Sequence, residues 1–554
     1  MQYTLLKSKD DLTLEHNKKT PLYLKTGFSG TAGEAIEDEN GNITLFVDPR
    51  YHIQAAQETK KKETKGKNIN VIKLDMKTSP IDALKTILIK GDTFLIPSKS
   101  TKLSTFKAFK KNLKKINIKP YETEDEKEKK AKIEFIPDEI SGKDYKEKLN
   151  SLKKLNKNIL ITSLEDVSYL LNLRSYEEIN TSCIRAKLLI LQDSSPCGSA
   201  FCDKTKIILF SNDDISLEGL ETKPLSALKD VLSKIDDEIL IDKNTITLFD
   251  YNLIKNPKIM RANPVSKMSS IKTNEEINHY KDAFKRLDDA LYAFQDKITE
   301  GKSEFELKEI FEKELIRHGA KGTSFKTILA LAENSSSIHY SSYDKSKIIK
   351  DGDILLLDCG GYYEGGYATD ITRVFLCGDA PKNPDIKKIY TAVLKAQLNV
   401  YFGDFTDTKS MDDKARKILK PYEDKAKGGF LFPHSLGHGV GIPVHQAPPT
   451  LTPNPKYNSK LKNNMVFTIE PGLYCEGKFG IRLENTVYYD KNCTPEGKKI
   501  SLSKFPYEEK LIDKTMLNKQ EQNWLEIWQA AASQAKKLTS QTKTRAPKRQ
   551  EAAK

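Results

Sequence analysis

Two acidic residues lie on apolar segments that have the length of buried strands. In DILLLDCGGYYEGGYATDITRVFL the apolar run 354–357 leads directly to Asp358, glycines turn the chain, and Asp370 lies on the returning strand. The two carboxylates can therefore face each other. We predict a strand hairpin at 353–376 that carries both of them.

A second segment repeats this arrangement about a hundred residues later. In NMVFTIEPGLYCEGKFGIRLENTVYY an apolar strand ends at Glu470, proline and glycines make the connection, and Glu484 lies in the next strand. The two-residue period of a strand places Arg482 on the same face as Glu484. We predict a second hairpin at 464–489.

Four carboxylates on apolar strands require a source of positive charge, because an unpaired ionised acid is costly to bury. Two divalent cations would balance the four negative charges, and one neutral imidazole would complete the ligand set. A dinuclear site of this kind polarises a carbonyl and makes a bridging water into hydroxide near neutral pH. Oxygen-rich ligation with one nitrogen favours Mn²⁺, with Co²⁺, Fe²⁺ or Zn²⁺ as alternatives.

The imidazole is expected from PHSLGHGVGIPVHQAP, residues 433–448, which holds three of the eight histidines in the chain. Taken singly, an acid at a strand end is most often exposed, and a histidine beside glycines is most often an ordinary loop residue. Two repeated hairpins together with this histidine-rich segment favour a metal site over coincidence.

Composition limits the possible partners. The chain has 554 residues, which indicates about three domains. Its 91 Lys+Arg and 77 Asp+Glu give a net charge of +14. The basic runs 60–67 and 110–119 contain no interleaved aromatic residues and match no nucleic-acid-binding module, so we interpret them as solvated surface and expect no nucleic-acid partner.

Cysteine usage and hydropathy indicate the compartment. The seven cysteines are odd in number and form no CxxC pair, which favours neither a disulfide framework nor a zinc ribbon. The N-terminal segment lacks a signal-peptide pattern, and no apolar run reaches about 18 residues. We expect a soluble cytoplasmic protein without a membrane partner.

Strand-like runs alternate with helical stretches in the first half of the chain, which predicts two successive α/β domains. The charged segment 121–134 separates them and is typical of a linker or an exposed helix. In the third domain, two helical segments precede each hairpin, at 275–300 and 303–319 and again at 385–400 and 409–421. The predicted organisation is α/β domain I at 1–122, α/β domain II at 135–268, α+β domain III at 269–515, a helical segment at 516–540 and a disordered tail at 541–554.

Five ordered motifs of domain III resemble the metallopeptidase family of methionine aminopeptidase, prolidase and aminopeptidase P, which has the pita-bread fold. The motifs are SIHY (337–340), LLLDCGGYYEGGYATDITR (355–373), HSLGHGVGIPVH (434–445), TIEPGLY (468–474) and GIRLEN (480–485).

Three upstream segments resemble the two creatinase-like N-terminal domains of the three-domain cytosolic aminopeptidase P type. They are TGFSGTAGEAI (26–36), VDPRYHIQAAQE (47–58) and SLEDVSYLLNLRS (163–175). The resemblance thus covers nearly the whole chain. It implies two α/β creatinase-like domains followed by an α+β pita-bread catalytic domain.

The resemblance also implies a ligand set. Asp358 would hold one metal ion, Asp370 and Glu484 would bridge both ions, and His438 with Glu470 would hold the other. We interpret the glycines at 437, 439 and 441 as positions where the absence of a Cβ lets the chain pass close to the metals.

Four further residues receive roles from the resemblance. His339 and His445 would lie on either side of the scissile bond and donate hydrogen bonds to the developing oxyanion or the substrate backbone. His434 would line the proline side of the substrate-binding cleft, and Arg482 would support the site behind Glu484. For each histidine, the alternative is a purely structural role.

The implied activity is removal of the first residue from peptides with proline in second position. The bridging hydroxide would attack the carbonyl before proline, and Glu470 would pass its proton to the leaving nitrogen. One alternative is prolidase, which cleaves Xaa-Pro dipeptides and normally has one N-terminal domain. Another is a non-catalytic pita-bread binding protein, in which we would expect metal ligands to be lost.

Two departures from the family pattern affect the expected specificity. Eleven residues separate Asp358 from Asp370, where ten are usual, and we expect the Gly-rich turn to absorb the extra residue, with a bulge as one way to do so. The segment from His438 to His445 is shorter than in the eukaryotic cytosolic enzymes and closer to that of prolidase, which affects the pocket for proline.

A homodimer is also predicted. Residues 505–528 resemble the C-terminal segment that cytosolic aminopeptidase P uses in dimerisation. Trp524 and Trp528 lie four residues apart on a predicted helix and require cover. The alternative is that both rings pack on their own domain.

Overall fold

The structure is a computed structural model that describes residues 1–9, 19–63, 68–75, 78–123, 130–192, 205–424, 429–493 and 498–545, with side chains except at 61–63 and 538–545. The chain forms two compact units. One contains the described residues of 1–276 together with 337–342, and the other contains those of 277–336 and 343–545.

Domain I is built on a six-stranded sheet with the order β4-β3-β2-β1-β5-β6. Its elements in chain order are β1 (Gln2–Lys7), α1 (Pro21–Thr26), β2 (Glu34–Asp38), β3 (Ile43–Val47), α2 (His52–Glu63), β4 (Ile69–Lys73), α3 (Pro80–Ile87), β5 (Thr93–Pro97), α4 (Leu103–Asn112) and β6 (Asn117–Tyr121). The strand pairs β1–β2 and β2–β3 are antiparallel and the other three are parallel.

Domain II has a six-stranded sheet with the order β12-β11-β10-β8-β13-β14. Its elements are β7 (Glu134–Phe135), α5 (Asp138–Ser141), α6 (Tyr145–Lys153), β8 (Asn158–Ile161), α7 (Leu164–Leu171), β9 (Leu173–Arg174), β10 (Ala186–Leu191), β11 (Lys206–Ser211), β12 (Glu221–Lys223), α8 (Leu228–Leu232), β13 (Ile239–Ile241), α9 (Leu248–Asn252), β14 (Pro257–Ile259) and α10 (Pro264–Ser269). Across this sheet the pairs run parallel, antiparallel, antiparallel, parallel and parallel.

The sheet of domain I has the same sequence of parallel and antiparallel pairs when it is read from β4 to β6. Both sheets bury apolar side chains against helices, which explains why central strands such as β3, β8 and β10 are nearly continuous hydrophobic runs. The prediction of two α/β domains of similar plan is confirmed.

Domain III contains two long α-helices before each hairpin, as predicted. Its elements are α11 (Asn274–Gln295), α12 (Glu304–Arg317), β15 (Gly322–Thr323), β16 (Ile328–Leu331), β17 (Ile354–Cys359), β18 (Gly361–Tyr362), β19 (Ile371–Leu376), α13 (Asp385–Phe402), α14 (Thr408–Leu419), β20 (Gly437–His438), β21 (Thr450–Leu451), β22 (Val466–Ile469), β23 (Gly472–Cys475), β24 (Phe479–Arg482), β25 (Asn485–Asp490), β26 (Lys498–Ser501) and α15 (Lys519–Arg545). The sheets β16-β17-β19 and β22-β25-β26 carry the two hairpins, so the predicted α+β class is confirmed.

The first hairpin keeps one register along its whole length. Ile354 pairs with Leu376, Cys359 pairs with Ile371, and Tyr362 still pairs with Ala368 without an inserted residue. The expected bulge is therefore absent from these described strands. The pairing leaves residues 363–367 for the turn, as expected, and there Gly366 has a positive φ and donates its N–H to the Tyr363 carbonyl.

The C-terminal helix α15 covers its tryptophans with its own unit. Trp524 stacks on Phe402 with ring planes 4° apart, and Trp528 packs edge-on against Tyr401. Both rings thus pack on their own domain, which is the alternative to a dimer contact, and they lend no support to a dimer. The helix reaches Arg545, inside the predicted tail, and residues 546–554 lie outside the described residues.

Other expectations fall partly outside the described residues. Part of the charged linker (124–129), part of the basic run 60–67, and two of the cysteines (197 and 202) belong to undescribed segments. The five described cysteines form no disulfide with one another. In the described part of the chain, no helix is both long and apolar enough to cross a membrane.

Candidate metal centre

The first hairpin places its two aspartates on one face. Asp358 pairs with Thr372, and the side chains of directly paired residues point to the same side of a sheet. Asp370 precedes Thr372 by two residues and therefore shares that side. The chain enters this arrangement through β17, whose six residues are all buried.

The second hairpin places its two glutamates directly opposite each other. The ladder β22–β25 ends at the pair Ile469 and Asn485, and the ladder β23–β24 begins at Gly472 and Arg482. Two residues lie between these pairs on each strand, so Glu470 faces Glu484. The Leu483 N–H donates to the Pro471 carbonyl and keeps the register across the gap.

The two hairpins and the histidine segment meet in one cluster. Ligand atoms of Asp370, His438 and Glu484 all lie within 4.8 Å of one another. His438 Nε2 is 3.5 Å from an oxygen of Asp370 and 3.5 Å from an oxygen of Glu470. Two ligands bound at about 2.1 Å to one ion lie roughly 3.0–3.5 Å apart, so these separations suit a shared cation.

The ring of His438 is oriented for ligation through Nε2. Its Nδ1 lies 3.1 Å from the Gly439 carbonyl, a contact in which Nδ1 carries the proton and donates. The His438 backbone N–H donates to Thr468 Oγ1, which in turn donates to Glu470. The backbone around this ligand is thus tied to the strand that leads to Glu470.

Three of the carboxylates are buried and electrostatically opposed to one another. Burial raises the pKa of Asp358 despite the attraction of Arg482. Burial, followed by repulsion from Glu484 and Asp358, raises the pKa of Asp370 well above its usual value. Burial and repulsion from Glu470 do the same to the pKa of Glu484. The site therefore has an excess of negative charge that protein groups alone do not compensate.

Arg482 contacts the first hairpin. Its Nη2 donates to Asp358 Oδ2 at 2.6 Å, its Nε donates to Thr372 Oγ1, and its Nη1 donates to the Tyr474 hydroxyl. Thr372 then donates to Glu484 Oε2 at 2.7 Å. The arginine is 2% exposed, and it lies behind Asp358 and reaches Glu484 through Thr372.

The residues present fit a pair of divalent ions. Asp358 Oδ1 is buried, and no described residue offers it a hydrogen bond. Three carboxylates and a correctly oriented imidazole converge, and the fourth carboxylate, Asp358, is bonded to Arg482. Oxygen donors with one nitrogen suit hard or borderline divalent cations.

The glycines of the histidine segment also have a reason in the packing of the protein itself. A Cβ at Gly437 would lie 2.1 Å from the Thr468 carbonyl oxygen, and a Cβ at Gly439 would lie 2.0 Å from the Gln446 carbonyl oxygen. At Gly441 it would meet the Gln446 side chain at 1.6 Å. These glycines are required by close packing of protein against protein.

The three other histidines have distinct surroundings. His445 is exposed, and its ring centroid is 4.2 Å from that of His438. His434 is buried, with Nδ1 at 2.8 Å from the Ser435 carbonyl and Nε2 at 3.0 Å from the Tyr474 hydroxyl. His339 belongs to the N-terminal unit, where its Nδ1 lies 2.8 Å from the Tyr51 hydroxyl. The roles assigned to them by resemblance stay predictions.

Sequence reasoning missed two hydrogen-bond partners of Arg482, Thr372 and Tyr474. A signal for Thr372 was available, because it follows Asp370 by two residues on a predicted strand and must share its face. Tyr474 gave no comparable signal, because its hydroxyl joins His434 to Arg482 across separate segments.

Comparison with known proteins agrees with this geometry. The sequence profile of metallopeptidase family M24 matches residues 278–491, and that of the creatinase/prolidase N-terminal domain matches residues 124–276. The Xaa-Pro dipeptidase of Pyrococcus furiosus is 34% identical over 54% of this chain and 87% of its own. The chain belongs to metallopeptidase family M24.

Other relatives match along nearly the whole chain. The probable Xaa-Pro aminopeptidase P of Laccaria bicolor is 28% identical over 91% of this chain and 83% of its own. The crystal structure of X-prolyl aminopeptidase from Caenorhabditis elegans, described as a cytosolic enzyme with a di-nuclear active site, superimposes with a TM-score of 0.85 at 20% identity. The superposition covers 98% of this chain and 93% of the Caenorhabditis elegans chain, so the fold of all three domains is shared.

Proposed function

We propose that this M24 metallopeptidase is an Xaa-Pro aminopeptidase, which removes the first residue from peptides with proline in second position. The observation that carries the proposal is the extent of the match. Relatives named Xaa-Pro aminopeptidase align with 90–91% of the chain, including both N-terminal domains.

Prolidase is the second candidate, because a relative named Xaa-Pro dipeptidase has the higher sequence identity. The Pyrococcus furiosus dipeptidase is more similar in sequence, 34% against 28%, but its alignment covers 54% of this chain. That alignment leaves nearly half of this chain without a counterpart, whereas the aminopeptidase alignments do not. We therefore assign the dipeptidase activity second place.

We assign the metal ligands as Asp358, Asp370, His438, Glu470 and Glu484, and we propose Mn²⁺ as the ion, with Co²⁺, Fe²⁺ or Zn²⁺ able to substitute. The spacing around His438 Nε2 and the buried, mutually repelling carboxylates support this ligand set. Bound divalent ions would activate water as the nucleophile and polarise the substrate carbonyl.

The remaining steps fall to side chains of the protein. Glu470 would take the proton of the attacking water and deliver it to the proline nitrogen, which has no N–H in the peptide and leaves as an amine only when protonated. His339 and His445 would donate hydrogen bonds to the developing oxyanion or the substrate backbone. His434 would contact proline through ring carbon atoms, since both ring nitrogens already have protein partners.

The test is a peptide panel with the Mn²⁺-loaded protein. We expect mass spectrometry to show release of the first residue from Xaa-Pro-Xaa tripeptides and longer peptides. Replacement of proline by alanine, acetylation of the amino terminus, or removal of metal by a chelator should abolish release. Rapid hydrolysis of Xaa-Pro dipeptides without cleavage of Xaa-Pro-Xaa would instead establish prolidase activity.

We further propose a cytoplasmic homodimer. The support is the resemblance of residues 505–528 to a dimerisation segment and the description of the Caenorhabditis elegans enzyme as cytosolic. Light scattering at micromolar concentration measures the mass directly. A monomer would remove the dimer from the proposal and leave the catalytic assignment unchanged.

A further inference from the structure

The segment that carries His339 is held by domain I. Residues 337–342 form part of the N-terminal compact unit, although the chain on both sides of them belongs to the other unit. This grouping reflects specific contacts. The contacts come from TGFSGTAG and DPRYHIQ, two motifs whose chemistry the metal centre does not use.

The first contact is a chain of hydrogen bonds through Tyr51. Its hydroxyl lies 2.7 Å from Thr31 Oγ1 and 2.8 Å from His339 Nδ1. The two rings also meet edge-on, with centroids 5.1 Å apart and planes at 81°. A histidine held at one ring nitrogen and along one ring edge loses most of its rotational freedom.

The second contact secures the same segment two residues later. Gln54 Nε2 lies 3.1 Å from Ser341 Oγ, and its two N–H groups are shared among this oxygen, Ser29 Oγ and Glu58 Oε1. Glu58 in turn accepts hydrogen bonds from the Ser29 backbone and hydroxyl. The segment is therefore bonded at His339 and at Ser341 to side chains that are themselves fixed.

Tyr51 is held rigidly by its own surroundings. It is 1% exposed, and Phe28 packs edge-on against its ring at 5.6 Å between centroids. A Cβ at Gly30 would lie 2.2 Å from Phe28 and 2.8 Å from Tyr51, so only glycine allows these two rings to pack this way. Gly30 of the first motif is therefore required by the packing of these two rings.

We propose that Tyr51 is a positioning residue for His339. Domain I thereby fixes the orientation of a histidine that acts on the substrate, an inference that rests on the proposed function. A hydroxyl has one hydrogen, so when Thr31 donates to Tyr51, Tyr51 donates to His339 Nδ1. The ring proton of His339 is then on Nε2, which is the tautomer that donates a hydrogen bond from that atom.

The test compares Tyr51→Phe with Tyr23→Phe. Both changes remove one hydroxyl from domain I, but Tyr23 lies on α1, and among the described residues no hydrogen bond or ring contact joins it to 337–342. We expect Tyr51→Phe to lower kcat on an Xaa-Pro-Xaa peptide about five- to tenfold, with KM and metal content matching Tyr23→Phe and the thermal midpoint lower by only a few degrees. Equal kcat in the two variants would overturn the proposal.

A double-mutant cycle separates positioning from a general structural effect. In a His339→Ala background, Tyr51→Phe should change kcat less than about twofold, because the group that it positions is gone. If Tyr51→Phe costs the same factor in both backgrounds, Tyr51 does not act through His339 and the proposal is wrong.

Hydrogen–deuterium exchange gives a readout that does not depend on activity. Tyr51→Phe should increase deuterium uptake in peptides covering 337–342 and leave uptake unchanged in peptides covering 466–475. An inactive wild-type protein would refute the proposed function, and the exchange result would then decide by itself whether Tyr51 holds the segment. Unchanged uptake at 337–342 would overturn the inference in either case.

Discussion

The two hairpins of domain III carry the same number of acids but arrange them differently. In the first, the aspartates are diagonal, because Asp358 pairs with Thr372 and the unbroken register places Gly360 opposite Asp370. In the second, Glu470 and Glu484 face each other directly across a gap in the ladder. Like charges directly opposite each other destabilise a strand pair, whereas a diagonal pair is farther apart.

This difference indicates which hairpin depends more on metal. The first hairpin has a protein cation on one acid, since Arg482 reaches across to Asp358. At the acids of the second hairpin, two neutral hydroxyls donate, Thr372 to Glu484 and Thr468 to Glu470. We infer that the facing glutamates contribute most of the repulsion that bound cations would relieve.

The largest expected effect comes from Glu484→Ala. This change removes one facing acid and, in the proposed ligand set, a bridge between both ions. We expect a folded protein whose bound metal and kcat both fall more than about a hundredfold, measured by mass spectrometry of metals and by peptide cleavage. Full activity in this variant would contradict the dinuclear assignment.

The same position tests the repulsion directly when the metal is removed. Glu484→Gln keeps the shape and the bond from Thr372 while it removes one charge. Without metal, its thermal midpoint should exceed that of the wild type by a few degrees. Asp370→Asn should raise the midpoint less, because its partner across the ladder is a glycine.

The next effect comes from Arg482→Met, which removes the one guanidinium bonded to Asp358. We expect metal affinity and kcat to fall about 10- to 100-fold, because the orientation of Asp358 is no longer fixed. Arg482→Lys keeps the charge but not the forked geometry that reaches Asp358, Thr372 and Tyr474 together, so it should recover part of the loss. Equal loss in both variants would show that geometry alone matters, and no loss would disprove the role.

A smaller effect is expected from Thr372→Val, measured against Thr486→Val. Both threonines are buried, but Thr372 donates to the Glu484 carboxylate and Thr486 donates to the Asp370 backbone carbonyl, each at 2.7 Å. Each change should cost about 1–2 kcal/mol of stability. Only Thr372→Val should weaken Mn²⁺ binding, by about tenfold in a titration; equal weakening would mean that the two hydroxyls are equivalent.

The sequence predicted the hairpins because apolar runs of strand length lead to Asp358 and Glu470 and are followed by glycines. It predicted the α/β plan of domains I and II for a similar reason, since central strands such as β3 and β8 are almost entirely buried. Local periodicity carries this information, and it does not depend on how distant segments meet.

What the sequence could not predict depends on contacts between distant segments. Period-two reasoning assigned Arg482 a face but not its partner, which lies 124 residues away in the other hairpin. Trp524 and Trp528 pack on the end of α13, far away in the chain. His339 lies within the sequence of domain III, yet its contacts with Tyr51 place it in the N-terminal unit.

The tips of the two hairpins also differ, and this difference gives the smallest prediction. At the first tip, Arg286 of α11 donates to both oxygens of Glu364 and lies 4.6 Å from the Tyr363 ring centroid. At the second tip, residues 476–478 are exposed and Gly477 has no heavy atom within 4 Å of its Cβ position. Only the first tip is clamped to a helix by an ion pair within the described residues.

Hydrogen bonds from Arg286 lower the pKa of Glu364 from 4.5 to about 2. A carboxyl whose pKa is lower in the folded state stabilises the fold above its unfolded pKa, and that contribution is lost as the pH falls from about 4.5 to 2. Glu364→Gln should therefore lower stability at pH 7 by less than about 1 kcal/mol, since the side chain is 48% exposed and solvent screens the pair. In calorimetry, the difference from the wild type should be about 2 °C at pH 7, should shrink below pH 4.5, and should be absent at all pH values for Glu476→Gln at the second tip. A difference that does not change with pH would show that the clamp acts through packing on Tyr363 and not through the charge of Glu364.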